Sequence, residues 1–160
     1  MTQVDLSAYR PNVGVVLFNA QGQVWLGKRA ETPDPWNWQF PQGGVDEGED
    51  LEAAARRELK EETGVTSVQL LGRTHDWLTY DFPEDVMKGP KGWRGFKGQK
   101  QMWFAFRLTG PDSEIDLFAD EEVEFEAWRW GHLAEAPGLI IPFKRPIYEQ
   151  VVAAFGDWAA

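Results

Sequence analysis

A segment near the middle of the chain constrains the fold most, because it combines helical periodicity with a stop signal. Leu51, Ala55 and Leu59 follow one another at four-residue intervals, so in a helix they would form one apolar face. Gly64 stands where helices commonly end in a left-handed residue. The pattern predicts a helix over Asp50–Thr63 that packs its apolar face against another element.

The polar side of the same helix carries a concentration of carboxylates. Glu58, Glu61 and Glu62 stand at i, i+3 and i+4 and would project in one direction. Like charges one turn apart are mildly destabilising in a helix. A solvated amphipathic face is the commoner explanation, and a site for a hard divalent cation is the alternative. Gly43 and Gly44, just upstream, would let a metal or a phosphate approach the backbone closely.

Extended segments lie on both sides of the predicted helix. The β-branched run Asn12–Asn19 and the segment Val24–Gly27 are separated by a glycine-containing turn, which predicts a hairpin. The further predictions are strands at Val65–Leu71, Gln99–Leu108 and Glu124–Trp130, a shaped loop at Thr32–Gly44, and a closing helix at Arg145–Phe155. This order of elements is typical of a mixed sheet covered by helices, an α/β or α+β architecture.

Length and composition limit the classes of protein that this chain can belong to. Its 160 residues predict one domain, 1–160, and the absence of cysteine excludes disulfides, thiolate zinc sites and cysteine nucleophiles. No apolar run approaches the roughly 18–20 residues of a membrane span, so we expect no membrane contact and a cytoplasmic location. The net charge of −10 argues against a general nucleic-acid coat protein. Nothing in the sequence indicates a stable protein partner.

One spacing pattern gives the carboxylate face a specific meaning. Gly43 is followed after five residues by Glu49, and Glu49 after seven residues by the run Arg57–Val65 (RELKEETGV). The run matches every fixed position of the 23-residue pattern GX5EX7REUXEEXGU, the Nudix box, in which U is aliphatic. Nine constrained positions in the window 43–65 make the match specific. The chain therefore resembles Nudix hydrolases.

The resemblance implies a fold, a reaction and a set of metal ligands. The implied fold is an α/β/α sandwich with a mixed central β-sheet. The implied reaction is hydrolysis of a nucleoside diphosphate linked to another group, with Mg²⁺ or Mn²⁺ as cofactor. The motif's ligand positions correspond to Glu58, Glu61 and Glu62, with the backbone carbonyl of Gly43. Glu124 is predicted to be a further ligand or the general base, since it matches an acid just before the Trp-x-Trp sequence of related chains.

Two other residues of the box are predicted to hold the ligands in place. The resemblance implies that Glu49 pairs with Arg57 and fixes the preceding loop against the helix. Such a pair orients metal ligands without itself contacting the cation. For Glu124 the alternative is that it is one solvated acid among the eight between Asp112 and Glu126.

Segments outside the box resemble one Nudix subgroup, which contains bacterial RNA 5′-pyrophosphohydrolases and asymmetrical diadenosine tetraphosphate hydrolases. These segments are Tyr9–Gly14, Trp38–Gly44, Gly98–Gln101, Trp128–Trp130 and Phe143–Arg145. The first and the last favour an RNA 5′ end as substrate, whereas Asp76–Pro83 and Asp46–Asp50 favour a dinucleoside polyphosphate. A nucleotide-pool sanitising enzyme would not share the flanking segments, and the intact glutamates speak against a binding module without hydrolysis.

Basic and aromatic residues are predicted to hold the substrate. Arginine suits two-pronged contacts with phosphate, and an exposed aromatic ring can stack on a nucleobase. The predicted phosphate contacts are Arg10, Arg29, Lys100 and Lys144, and the predicted base contacts are Tyr80 and Phe143. A basic stretch comprising Lys88, Lys91, Arg94, Lys97 and Lys100 either steers a polyanion or forms an ordinary surface loop.

Overall fold

The computed structural model describes residues 5–30, 32, 34–87 and 95–160, and within them a β-sheet carries helices on both faces. The strands are β1 (Tyr9–Phe18), β2 (Val24–Lys28), β3 (Trp38–Gln39), β4 (Gln42–Gly44), β5 (Val68–Arg73), β6 (Leu78–Asp81), β7 (Gly98–Leu108) and β8 (Ala127–Gly131). The helices are α1 (Leu51–Thr63), α2 (Glu84–Met87), α3 (Ala136–Leu139) and α4 (Arg145–Phe155), with short 3-10 turns between elements.

The sheet is mixed, with the order β3-β2-β1-β7-β5. Strand β4 pairs with β1, β6 with β7, and β8 with β2. β1 and β7 run parallel from the Tyr9–Gly98 pair to the Phe18–Arg107 pair, and the other pairs are antiparallel. Parallel neighbours need a crossover connection, and α1 lies on the connection between these two strands. The mixed sheet confirms the predicted α/β class.

Each face of the sheet has its own apolar core. α1 covers one face, where Leu59 packs with Val13, Phe104 and Phe106. α4 covers the other, where its apolar side chains pack with Phe18, Phe40 and Trp103; those of α4 are Ile147, Tyr148, Val151 and Phe155. Alternate residues of the central strands point to opposite faces, so each strand contributes to both cores.

The ends of α1 are defined by its flanking residues. The Asp50 carboxylate accepts a hydrogen bond from the Ala53 N–H at 3.0 Å and caps the first turn. Gly64 adopts φ +78°, and its N–H donates to the Lys60 carbonyl at 2.8 Å. A left-handed residue at this position satisfies the last carbonyls at little steric cost only when it is glycine. The predicted helix and the predicted closing helix Arg145–Phe155 are both confirmed.

Two predicted strands begin later than their composition indicates. β5 starts at Val68 because the N–H groups of Thr66 and Ser67 donate to the Glu114 side chain, at 3.0 and 3.1 Å. β8 starts at Ala127, since Phe125 turns its ring into the core against Trp25. Strand β6 was not predicted. The predicted loop Thr32–Gly44, which was expected to surround a short extended piece, contains the short strands β3 and β4. No helix in the described residues has both the length and the apolar character needed to cross a bilayer.

Candidate active site

Arg57 lies at the centre of the carboxylate face of α1. Its Nε and Nη2 donate to the two oxygens of Glu49 at 2.8 and 2.9 Å, and Nη2 also donates to the Gly44 carbonyl at 2.9 Å. Nη1 donates to Glu58 Oε1 at 2.8 Å and lies 3.3 Å from Glu61 Oε2. The guanidinium thus fixes both the loop before α1 and two of the predicted ligands.

The pairing with Arg57 determines the ionisation of Glu49. Hydrogen bonds from the guanidinium, followed by the Asp46 N–H, lower the pKa of the Glu49 carboxyl to about 2. The same bonds raise the pKa of Arg57 above its already high value. The pair is therefore ionised throughout the neutral range, and the geometry is the brace that the box resemblance implied.

Two glutamates on α1 have limited contact with water: Glu58 is partly buried and Glu62 is buried. Burial is the main cause that raises the pKa of Glu58 to about 7; Arg57 opposes the shift, and the charges of Glu61 and Glu124 add to it. Glu62 is 5% exposed, and burial, followed by the charges of Glu58 and Glu124, raises its pKa well above the usual range. Glu62 Oε2 has no hydrogen-bond partner among the described residues. A buried carboxylate with an unsatisfied oxygen is costly in the absence of a cation.

Glu124 acts on the same two glutamates from a distant segment of the chain. It lies in the segment before β8, and its charge acts on both Glu58 and Glu62. Its Oε2 lies 3.6 Å from Arg29 Nη2, and the two residues line an open cavity of about 330 Å³. The structure therefore brings Glu124 together with the box glutamates, although more than 60 residues separate them in sequence.

Gly43 allows the closest approach of backbone to this cluster. It lies in β4 opposite Val13, and the carboxylate of Glu58 occupies the space that a Cβ at residue 43 would need. The backbone N–H of Gln42, the preceding residue of β4, lowers the pKa of Glu62 on α1 and so opposes the larger effect of burial. Only glycine at position 43 leaves the backbone in contact with the carboxylate.

The donor set fits a hard divalent cation. It consists of carboxylate oxygens and a backbone carbonyl, and it includes the unsatisfied oxygen of Glu62. In the part of the chain that the structure describes, no three His, Cys, Asp or Glu side chains already form a ligand cage. The physical reason is that Arg57 directs the carboxylates of Glu58 and Glu61 toward itself. The roles of these residues as metal ligands stay a prediction.

Three of the predicted phosphate contacts, Arg10, Arg29 and Lys144, lie near the carboxylates, and we call them the arc of positive charge. Arg29 faces Glu124. Burial, followed by charge repulsion from Arg29, lowers the pKa of Lys144 to about 8. Lys144 Nζ lies 5.8 Å from the ring centroid of Tyr80, and the guanidinium of Arg10 lies beside Gly44. Positive charge is therefore concentrated next to the buried glutamates.

Tyr80 is not the exposed stacking residue that the sequence predicted. It is 9% exposed, its hydroxyl donates to Gln99 Oε1 at 2.5 Å, and burial raises its pKa. Its ring lies 5.8 Å from that of Phe143, which is half-buried. Tyr80 therefore packs against the aromatic and basic residues around it, and the role of Phe143 as a base contact stays a prediction.

Lys100 is separated from the other predicted phosphate contacts. Its neighbours Gln99 and Gln101 point to the α4 face, where they bond Tyr80 and Asn12. Successive strand residues point to opposite faces, so Lys100 lies on the α1 face, with Nζ 4.9 Å from the Trp77 ring centroid. Of the predicted basic stretch, Lys97 lies over the Tyr9 ring, and Lys88, Lys91 and Arg94 lie outside the described residues.

A buried group of polar side chains that the sequence did not predict lies near the site. Gln101 Nε2 donates to Asn12 at 2.9 Å and to Gln42 at 3.1 Å, and Trp103 Nε1 donates to Gln101 Oε1 at 3.1 Å. The sequence did contain a pattern that indicates this group. Gln99, Gln101 and the core residue Trp103 are alternate residues of one strand, so their side chains lie on the same face of the sheet. Polar residues at core positions of a strand need partners, and here they bond one another near the site.

Comparisons with known proteins agree with this geometry. The curated RNA pyrophosphohydrolase of Caulobacter vibrioides is 67% identical over 159 residues, covering 99% of this chain and 92% of the relative. That of Bradyrhizobium diazoefficiens is 52% identical over 167 residues, covering 99% of each chain.

Solved structures show the same fold at lower identity. A C. elegans Ap4A hydrolase binary complex has a TM-score of 0.64 and 22% identity, over 92% of this chain and 98% of that one. The E. coli dihydroneopterin triphosphate pyrophosphohydrolase has a TM-score of 0.66 and 24% identity, over 91% and 98%. The family model described as NUDIX domain matches residues 8–151. The chain therefore belongs to the Nudix family.

Proposed function

We propose that this protein is an RNA 5′-pyrophosphohydrolase, which removes pyrophosphate from 5′-triphosphorylated RNA and leaves a 5′-monophosphate end. Water adds to phosphorus, the anhydride bond between the α- and β-phosphates breaks, and pyrophosphate carries away the negative charge. The observation that carries the proposal is the contact between a buried carboxylate cluster and an arc of positive charge. The curated relatives named above, which match almost the whole chain, support the same substrate.

We propose Mg²⁺ or Mn²⁺ as the cofactor, held by Glu58, Glu61, Glu62, Glu124 and the Gly43 carbonyl. When bound, the cation neutralises non-bridging phosphate oxygens and lowers the pKa of water. Arg57 holds α1 and its preceding loop together, so the backbone that carries these carboxylates is fixed before a cation binds. Glu124 pairs with Arg29 and not with Arg57, and we propose it as a further ligand or the general base.

The basic arc provides the substrate side of the proposed site. Arg10, Arg29 and Lys144 would pair with oxygens of the triphosphate, and the half-buried ring of Phe143 would pack on the first base. A protein of net charge −10 can bind an RNA end in this way because few backbone phosphates need neutralisation. RNA with a 5′-triphosphate is a product of transcription, so the proposed location is the cytoplasm.

Hydrolysis of dinucleoside polyphosphates is the second candidate activity. The segment Asp76–Pro83 favours it in sequence, but two residues of that segment have structural contacts. The Tyr9 hydroxyl donates to Asp81 Oδ1 at 2.5 Å, and Tyr80 is buried against Phe82 and Phe143. These contacts account for part of the segment without a dinucleotide, so we favour the RNA end.

A comparison of two substrates under one set of conditions tests the proposal. We expect kcat/KM for a short 5′-triphosphorylated RNA to exceed that for diadenosine tetraphosphate by at least about tenfold, with a 5′-monophosphate RNA and pyrophosphate as products. The Glu62→Gln variant and EDTA-treated protein serve as controls. The reverse order of kcat/KM would replace RNA by dinucleoside polyphosphates, and turnover of neither substrate would indicate a binding module.

A further inference from the structure

Three cations lie over aromatic rings on the α1 face of the sheet. The guanidinium of Arg56 lies 5.0 Å from the Phe106 ring centroid, and that of Arg73 lies 4.9 Å from Phe104. Lys100 has the same relation to Trp77, also at 4.9 Å. We call Arg56, Arg73 and Lys100 the cation strip. It is separate from the arc of Arg10, Arg29 and Lys144, which serves the proposed catalytic site.

The spacing of the cation strip follows from the strand beneath it. Phe104 and Phe106 are alternate residues of β7, their rings are stacked 6.3 Å apart, and both are fully buried. Arg73 pairs with Phe104 across β5 and β7, whereas Arg56 comes from α1. Because the rings are covered, the exposed guanidinium groups form the outer layer here. Arg56 and Arg73 each lie over a buried ring and are themselves exposed to solvent.

The cation strip is connected to the proposed catalytic site along α1. Arg56 lines a cavity of about 480 Å³ together with Lys60 and Arg57. Lys60 and Arg57 also line a second cavity, of about 290 Å³, together with Glu61 and Asp120. A chain that leaves the carboxylate cluster can therefore follow α1 past the exposed Lys60 to Arg56 and the sheet beyond.

The charge of the cation strip is only partly neutralised. Arg56 pairs with Glu52 at 3.1 Å within α1, and both side chains are exposed to solvent. Among the described residues, no carboxylate forms an ion pair with Arg73, Lys100 or Lys60. In a chain with 26 acidic and 16 basic residues, such a row of cations is a local exception that favours an anionic ligand.

We propose that the cation strip binds the single-stranded segment of RNA that follows the 5′ end held at the carboxylate cluster. This proposal rests on the proposed function and extends it to nucleotides that do not react. Unpaired bases stack on arginine planes, and guanidinium groups that already lie over a ring lose less side-chain freedom on binding. Lysine and arginine also attract the backbone phosphates between those bases. The strip would make longer RNA a better substrate than a dinucleotide.

The test removes two arginines of the cation strip and varies substrate length. In the Arg56→Gln, Arg73→Gln variant we expect kcat/KM for a triphosphorylated ten-nucleotide RNA to fall about tenfold or more, since each stacked base contributes about that factor. Turnover of a triphosphorylated dinucleotide should stay at the wild-type rate. The slope of log affinity against log salt should become shallower by about 0.7 for each RNA phosphate that the variant no longer neutralises.

A matched control separates the cation strip from a general effect of charge. Arg129 lies 5.0 Å from the Trp38 ring centroid and pairs with Glu135. Its strand, β8, pairs with β2 and not with β5 or β7, which carry Arg73 and Lys100. Arg129→Gln should leave the length preference unchanged. Lys60→Glu changes an exposed helix position and should also reduce binding of the long RNA. This variant provides the test if the double variant does not fold.

Direct binding keeps this proposal distinct from the proposed function. Fluorescence anisotropy with a ten-nucleotide RNA that carries a 5′-hydroxyl requires no hydrolysis, so the difference in binding between wild type and the double variant reports on the cation strip. Weaker binding by the double variant than by wild type and Arg129→Gln would support the strip, even if wild type failed to cleave triphosphorylated RNA. Equal binding by all three proteins, or equal loss of turnover on short and long RNA, would overturn it.

Discussion

Arg57 donates two hydrogen bonds to the Glu49 carboxylate, from Nε at 2.8 Å and from Nη2 at 2.9 Å, and so closes the loop before α1 onto the helix. A two-pronged arginine–carboxylate pair fixes both distance and orientation. The remaining nitrogen, Nη1, is then directed at Glu58 and Glu61. The position of the carboxylates that we propose as metal ligands therefore depends on a residue that need not touch the substrate.

Replacement of Arg57 tests this dependence. We expect Arg57→Ala to lower kcat about 10–100-fold and to shift the metal concentration for half-maximal activity, while metal binding persists. Arg57→Lys keeps the charge but cannot make the two-pronged contact, so its activity should be intermediate. Steady-state kinetics across a metal titration measure both effects. Unchanged rate and metal dependence in the alanine variant would show that Arg57 has no positioning role.

Loss of a carboxylate charge should act on the reaction itself. We expect Glu61→Gln and Glu62→Gln each to lower turnover at least 10²-fold, roughly 2.7 kcal/mol of barrier. The folded state should persist, because amides keep the shape of the side chain and the variants relieve repulsion between like charges. Single-turnover assays with a circular dichroism control measure the two outcomes. Wild-type rates in both variants with ordinary Mg²⁺ would contradict the assignment of these ligands.

Glu58 should make the cation-free protein less stable as pH rises. Its pKa is about 7 in the folded state against 4.5 for the ordinary value, so between these limits the folded state binds more protons than the unfolded one. The stabilisation is fully present below about pH 4.5 and is lost as pH rises through 7, by about 1.4 kcal/mol per pKa unit. Glu62 contributes in the same direction.

Urea unfolding in EDTA at several pH values measures this effect. The free energy of unfolding of the wild type should fall between pH 5 and pH 8, and Glu58→Gln should show a smaller fall. Exposed Glu47, for which the same substitution removes no buried charge, provides the matched control. A pH dependence of equal size in wild type and Glu58→Gln would contradict the burial of this carboxylate.

Replacement of Gly43 should weaken metal binding. A Cβ at this position would overlap the Glu58 carboxylate, which can move because it is the end of a flexible side chain. We expect Gly43→Ala to fold but to lose about 10–100-fold in metal affinity, since the ligand is displaced from Arg57. Gly138→Ala, where a Cβ meets nothing within 4 Å, is the control. Calorimetric titration with Mn²⁺ that gives equal affinities for Gly43→Ala and wild type would contradict this geometry.

Sequence by itself determined the features that depend on neighbours along the chain. The periodicity of Leu51, Ala55 and Leu59 and the stop at Gly64 predicted α1, because helix formation and capping involve residues within a few positions. The same local spacing placed the glutamates on one face. The resemblance to the Nudix box implied the pair of Glu49 and Arg57, which the structure shows within one short loop–helix unit.

Only the tertiary structure decided which predicted residues meet. The burial of Tyr80 and the separation of Lys100 from Arg10 depend on the pairing of β6 and β1 with β7, and a shift of one residue in that register would exchange the faces. The convergence of Glu124 on Glu62 and the raised pKa of the buried glutamates depend on contacts between distant segments. Burial and electrostatic potential are sums over the whole fold, so local sequence patterns do not contain them.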